Sequence, residues 1–247
     1  MTEDRQRQRE TIAGFCRRLT LSQTAVTLCE SATPTEEAFL ARVLAEEIAH
    51  REAGRRARLL SRAGFPAHKT LAEFDRSVVQ LPSTLTWADL EAGEFLRDHR
   101  NLVCFGSVGL GKSHLATALG VAACERGQSV RFDTLTGLVV RLSEAQRSGT
   151  LERVYHELRR TELLILDEWG YVPIDRQGAQ LLFRVIADRY EVHSLIITTN
   201  LDFSKWGAVF TDDQMTAAII DRLAHHGHLL LFRGDSYRMT HALMTQT

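Results

Sequence analysis

The sequence predicts an α/β fold: a mainly parallel five-stranded sheet flanked by helices, preceded by a small helical N-terminal domain. Three observations predict it. From about residue 100, short apolar runs rich in β-branched residues alternate with helical stretches, the pattern of strands joined by crossover helices. A glycine-rich turn ending in Gly111-Lys112-Ser113 follows the first of these runs and opens a helix. Before residue 64, by contrast, apolar residues recur at three- and four-residue spacing, which is the period of a helix face.

Thr33-Pro34-Thr35-Glu36 starts a helix, with Thr33 as its cap, Pro34 at the first helical position and Glu36 placed for a capping box. Phe39, Leu40, Val43, Leu44 and Ile48 make one apolar stripe, Leu59 and Leu60 continue it, and Gly64 and Pro66 mark its stop. The Leu81-Pro82-Ser83 neighbourhood reads as a linker, giving a helical domain over 1–82 and a sheet domain over 83–247. Strands follow near 101–105, 129–133, 163–167, 195–199 and 229–233. Helical composition covers 112–124, 136–147, 151–160, 176–191 and 212–225.

Composition narrows the function classes. The chain has 247 residues, 44% of them hydrophobic, which is enough to build a core without a metal or disulfide staple. No apolar run exceeds four residues, such as Leu163 to Leu166, so a membrane-spanning helix is excluded. The first twenty residues contain no apolar signal core, and a cytoplasmic location is expected. Cys16, Cys29, Cys104 and Cys124 form no CxxC pair and read as reduced packing residues.

The chemistry concentrates in three strand ends. Gly106-Ser107-Val108-Gly109-Leu110-Gly111-Lys112-Ser113 fits the GxxxxGK[ST] phosphate loop in its required context, after a strand and before a helix. Glycines let successive backbone N–H groups and the helix N-terminus point at phosphate oxygens. Lys112 is placed to neutralise the β- and γ-phosphates and Ser113 to ligate Mg²⁺. Leu163-Leu164-Ile165-Leu166-Asp167-Glu168 is a buried strand ending in two acids. Asp167 is the expected Mg²⁺ partner, and Glu168 is placed to orient the attacking water. Asn200, at the end of Leu195-Ile196-Ile197-Thr198-Thr199, is expected to help hold that water.

Gly109-Leu110-Gly111-Lys112-Ser113-His114-Leu115-Ala116, Leu164-Ile165-Leu166-Asp167-Glu168, Thr199-Asn200 and Phe203-Ser204-Lys205-Trp206-Gly207 resemble the IstB family of AAA+ ATPases. Those proteins are helpers of bacterial insertion-sequence transposition, related to the DnaC helicase loader. Asp221-Arg222-Leu223 and Arg233-Gly234-Asp235-Ser236-Tyr237-Arg238 extend the resemblance, as does the basic helix leading into Phe65-Pro66-Ala67-His68-Lys69. It implies an AAA+ P-loop NTPase with its helical lid reduced or absent, ATP bound by 106–114 including His114, and ATP hydrolysis. It further implies that Arg222 is an arginine finger acting on a neighbouring subunit, and that Arg238 is a nucleotide-contacting arginine. The implied partners are double-stranded DNA, a cognate transposase and further copies of the chain with ATP at their boundaries. This sequence departs from relatives at Ser107-Val108, where prolines are common, at Ser113, where threonine is commoner, and at Trp169, where a smaller apolar residue is usual.

Charge placement bears on DNA. The chain's 30 Lys plus Arg almost balance 31 Asp plus Glu. Yet Arg51, Arg55, Arg58 and Arg62 step along one helix face with Arg56 beside them, and Lys69 follows; these six are the candidate phosphate contacts. By the resemblance a second basic set, Arg141, Arg147, Arg153, Arg159 and Arg160, is a DNA candidate too, while its interleaving with Glu144, Glu152 and Glu157 fits a solvated face. His225, His226 and His228 share no recognised ligand spacing with a carboxylate or cysteine. A helicase loader is the nearest rival reading, and a small-molecule P-loop kinase is a rival from another class.

Overall fold

The computed structural model describes residues 3–210 and 212–237. The chain divides into two compact units, Met1–Arg58 and Leu59–Thr247.

The first unit holds α1 (Glu3–Arg18), α2 (Gln23–Glu30) and most of α3 (Pro34–Ala63). As the capping signature predicts, the Thr33 N–H and hydroxyl both donate to Glu36 Oε2, at 2.8 and 2.6 Å. Ile12, Cys16, Leu19, Leu44 and Ile48 form its buried core. Beside that core Glu37 is buried and accepts from Arg9 at 2.6 Å and from Arg5 at 3.1 Å. These two guanidinium groups hold the Glu37 carboxyl below its usual range.

The second unit runs through β1 (Val79–Gln80), α4 (Trp87–Ala92), α5 (Glu94–Arg97), β2 (Asn101–Gly106), α6 (Lys112–Glu125) and β3 (Val130–Thr134). It continues through α7 (Leu135–Arg147), α8 (Leu151–Arg159), β4 (Leu163–Trp169), α9 (Arg176–Arg189), β5 (Ser194–Thr199), α10 (Gly207–Phe210), α11 (Asp213–His225) and β6 (Gly227–Phe232). The sheet order is β1-β6-β2-β5-β4-β3, parallel throughout except where β1 pairs antiparallel with β6. Among the described residues, six strands therefore replace the expected five. The added one is two residues long, too short to carry a hydropathy pattern.

The boundary also differs from the expected one. Residues 59–82 belong with the sheet unit, because Ala63, Phe74 and Val79 are buried in its core and Val79 pairs with Phe232. The division falls inside α3 rather than at Leu81-Pro82-Ser83.

Alternation along β4 feeds two cores, one on each face of the sheet. Leu163 and Ile165 pack with Leu115 and Leu119 of α6, while Leu164 and Leu166 pack with Leu138 of α7 and Leu182 of α9. Burial on both faces is why these strands read as continuous apolar runs. Trp169 fills the second core against Trp206, with centroids 4.9 Å apart, and Phe210, at 5.3 Å. The bulky residue after the acidic pair is thus accommodated by aromatic residues that follow β5. At the opposite end of the strands, buried Arg189 ties α8, β4 and β5 together through the carbonyls of Leu158, Thr161, Glu162 and Ser194. Burial lowers its pKa to about 9, so the guanidinium stays charged near neutrality and those carbonyls stabilise the charge.

Candidate functional site

The carboxyl ends of β2, β4 and β5 lie side by side, so the turns that follow them share one edge of the sheet. From β2 the chain enters the glycine loop. Gly106, Gly109 and Gly111 adopt φ of +155, +85 and +86°. A Cβ on Gly106 would lie 2.5 Å from the Phe232 carbonyl oxygen, and one on Gly109 would lie 2.0 Å from Ser236 Oγ. Only glycine fits this path. Gly111 then caps α6, whose first residue is Lys112.

Lys112 is buried, and its amine donates to the carbonyls of Gly106 and Ser107 at 2.7 and 2.6 Å. The next residue, Ser113, donates its hydroxyl to Asp167 Oδ1 at 2.7 Å. The Thr198 hydroxyl donates to the same carboxylate oxygen, and it accepts the Glu168 N–H at 3.2 Å. Ser113, Asp167, Thr198 and Glu168 therefore form one hydrogen-bonded chain across three elements.

A bulge in β4 makes this arrangement. Leu166 faces Ile197 and Trp169 faces Thr199, so Asp167 and Glu168 together oppose Thr198 alone. Glu168 takes a left-handed φ of +58°. Asp167 stays buried against Ser113, whereas Glu168 is turned out and exposed. Two adjacent carboxylates thus acquire different environments.

Other predicted residues are placed as follows. Asn200 is exposed, immediately after β5. His114 has its Nε2 3.3 Å from the Thr70 carbonyl, and its ring packs against Phe74 with centroids 5.5 Å apart. Arg222 lies on α11, donating to the Ala218 carbonyl at 2.8 Å with its guanidinium over the Phe183 ring. It is not gathered with the loop residues of its own chain. Arg238 lies outside the described residues, as does any lid that follows Tyr237. Just before Arg238, however, the Tyr237 N–H donates to the Gly109 carbonyl at 3.1 Å, which fastens this segment to the glycine loop.

Two parts of this site escaped the sequence reading. Thr198 is one of two threonines in a strand, and only the bulge assigns it to the carboxylates. The Phe74 ring, which packs against Trp87, Phe232 and His114 and lies beside Gly111, meets rings from distant segments.

Of the basic candidates, Arg51, Arg55, Arg56, Arg58 and Arg62 are exposed on α3, and Lys69 is half-buried. Arg51 is paired with Glu47 at 2.6 Å. Arg62, Arg141, Arg153 and Arg160 line an open cleft of about 1010 Å³ whose walls also carry Glu144 and Glu157. Arg141 is paired with Glu157 at 2.6 Å, and Arg159 with Asp188 at 3.1 Å, so part of the second basic set is neutralised internally. No helix among the described residues is long and apolar enough to cross a membrane.

Residues 18–245 match the family described as IstB-like ATP binding protein. The ATP-binding protein of insertion sequence IS21 from Pseudomonas aeruginosa is 39% identical over 180 residues, covering 73% of this chain and 68% of that one. Its counterpart in insertion sequence IS5376 of Geobacillus stearothermophilus is 34% identical over 201 residues, covering 81% of this chain and 80% of the relative. The fold is similar to that of the DnaC helicase loader, with a TM-score of 0.54 at 19% identity over 68% of this chain and 98% of the loader. It is equally similar to the replication initiator DnaA bound to AMPPCP and single-stranded DNA, at TM-score 0.54 and 19% identity, where 70% of this chain matches 52% of the initiator. The chain therefore spans about half the length of that initiator.

Proposed function

Because this chain belongs to the family of IstB-like ATP-binding proteins, we propose that it is an ATPase that assists a transposase in insertion-sequence transposition, assembling on double-stranded DNA with ATP between subunits. The observation that carries the proposal is the hydrogen-bonded chain from Ser113 through Asp167 and Thr198 to Glu168, set beside a glycine cradle.

The residues fit ATP with Mg²⁺. Amides of the loop and the N-terminus of α6 receive the phosphates, and the Lys112 amine exchanges the Gly106 and Ser107 carbonyls for phosphate oxygens. The hydroxyl of Ser113 and the carboxylate of Asp167 are the hard oxygen donors that Mg²⁺ prefers. When bound, Mg²⁺ neutralises charge on the phosphate oxygens. Glu168, exposed at the bulge, accepts a proton from water and orients it. Asn200, exposed at the adjacent strand end, holds the same water. Arg222 supplies positive charge to the ATP of the next subunit, which makes hydrolysis depend on assembly. The Arg222 assignment rests on family membership together with its position on the α11 surface, apart from its own phosphate loop.

DNA is held by the exposed arginines of α3, with the arginine-lined cleft as a second positive surface. Near-neutral net charge makes one copy a weak binder, so affinity comes from many copies acting together.

Lys112→Ala is expected to abolish nucleotide binding. Glu168→Gln is expected to retain ATP binding while hydrolysis falls at least 100-fold, the usual contribution of a positioned general base. Hydrolysis by the wild-type chain should rise steeply with protein concentration and with added duplex DNA. A Glu168→Gln variant that turns over ATP at the wild-type rate would remove the assigned role of that carboxylate.

A further inference from the structure

At the edge of the sheet opposite the glycine loop, three side chains that the nucleotide site does not use come together. Glu191, in the loop after α9, and His225 and His226, at the end of α11, each offer one donor atom, and these atoms lie within 4.8 Å of one another. Backbone conformation creates the cluster. Glu191 takes a left-handed φ of +59°. His226 leaves the helix at φ −116° and ψ 45°. Consecutive residues of a continuing helix splay by about 100°. Here the two imidazole centroids are only 4.6 Å apart.

The surroundings hold both segments in place. The His226 carbonyl accepts the Asn101 N–H at 2.6 Å, and the N–H groups of Val192 and His193 are bound to the Arg189 carbonyl at 3.1 and 3.0 Å. Tyr190 Oη lies 2.8 Å from His225 Nδ1. That contact engages one ring nitrogen of His225, and among the described residues the other has no hydrogen-bond partner. Glu191 Oε1 lies 2.8 Å from His226 Nε2, so a carboxylate and an imidazole already face each other.

We propose that Glu191, His225 and His226 form a binding site for a divalent transition-metal cation of the Zn²⁺ type. Two imidazole nitrogens and one carboxylate oxygen are a ligand set zinc accepts, with a fourth position left for water. Imidazole ligands disfavour Mg²⁺ and Ca²⁺, which separates this site from the one at Ser113 and Asp167. Donor atoms around a tetrahedral zinc lie about 3.3 Å apart, given Zn–N and Zn–O bonds of about 2.0–2.1 Å. Binding would require side-chain rotation that brings the three donors, now within 4.8 Å of one another, to that spacing. Tyr190 acts as the outer partner that orients His225. The site is exposed, so a cation enters without unfolding, and it lies about one helical turn from Arg222 on the same helix.

The test is a titration of the untagged, nucleotide-free full chain with Co²⁺ and Zn²⁺. One equivalent of Co²⁺ should give the visible absorption of four- or five-coordinate cobalt, and one equivalent of Zn²⁺ should displace it. His225→Ala and Glu191→Gln should each weaken Zn²⁺ binding at least tenfold while keeping the wild-type circular dichroism. His99→Ala, at the separate His99 and His193 pair, should leave it unchanged. Absence of the cobalt band, or equal Zn²⁺ affinity in the wild type and in the two site variants, would overturn the assignment. None of these readouts involves ATP or DNA, so the outcome is independent of the proposed ATPase role.

Discussion

Asp167 accepts hydrogen bonds from both Ser113 and Thr198, and Thr198 in turn accepts the Glu168 N–H. Thr198→Val keeps the shape of the side chain but removes the hydroxyl from both contacts. It is expected to cost about 1–3 kcal/mol, since a backbone N–H and a carboxylate each lose a partner. Paired thermal melts and ATPase rates on that variant check this, and an unchanged rate would show that the bulge holds its shape without the hydroxyl. A second residue-scale outcome concerns acid. Glu37 has a depressed pKa in the folded chain, so its ion pairs contribute stability above the ordinary carboxyl value of 4.5 and lose that contribution as pH falls through the depressed value. The helical unit should therefore loosen below about pH 4.5, and Glu37→Gln should flatten that dependence in acid titrations followed by circular dichroism. Phosphate-loop residues were legible because their motif is local in sequence. Thr198 was not, because its role depends on a register that only pairing with β4 decides.

At the scale of elements, apolar runs announce strands when both sheet faces are covered, as for Leu163 to Leu166 and Leu195 to Ile197. Helix starts were legible where caps exist, as at Thr33. Strand β1 was not, since two residues cannot display alternation and its place is set by β6, reached from the far end of the chain. The same distance hid the division within α3: Ala63 belongs to the sheet core although its helix begins in the other unit. Packing of α6 on the sheet depends on Gly120, where a Cβ would come within 2.7 Å of Ile165 Cδ1 and 2.8 Å of Phe65 Cε1. Glycine is normally a poor choice inside a helix, so substitution at an open position would stabilise. Here Gly120→Val is expected to destabilise by about 1–3 kcal/mol through overpacking. For a chain of this size that lowers the melting temperature by roughly 2–4 °C per kcal/mol. A variant that melts higher than wild type would show that the contact yields easily.

For the molecule as a whole, charge is distributed for local use. The totals of 30 bases and 31 acids give no sign of a nucleic-acid partner, but exposed arginines line α3 and others line the cleft beside α7 and α8. If these contact DNA phosphates, the logarithm of duplex affinity should fall linearly with the logarithm of salt, each contact adding about 0.9 to the slope. Replacing Arg55 and Arg58 with Gln should reduce that slope by about 0.9 for each arginine that contacts phosphate, measured with ATP present. An unchanged slope would move the DNA surface away from α3. The left-handed turn at Glu168 also bears on how such a chain is selected. Every non-glycine residue held there works against folding by about 1–2 kcal/mol. Glu168→Gly should therefore give a protein that melts no lower than wild type and hydrolyses no ATP. A sequence improved for durability alone would drift toward that glycine, so an acid at the bulge is what the proposed role of Glu168 in turnover would require selection to keep.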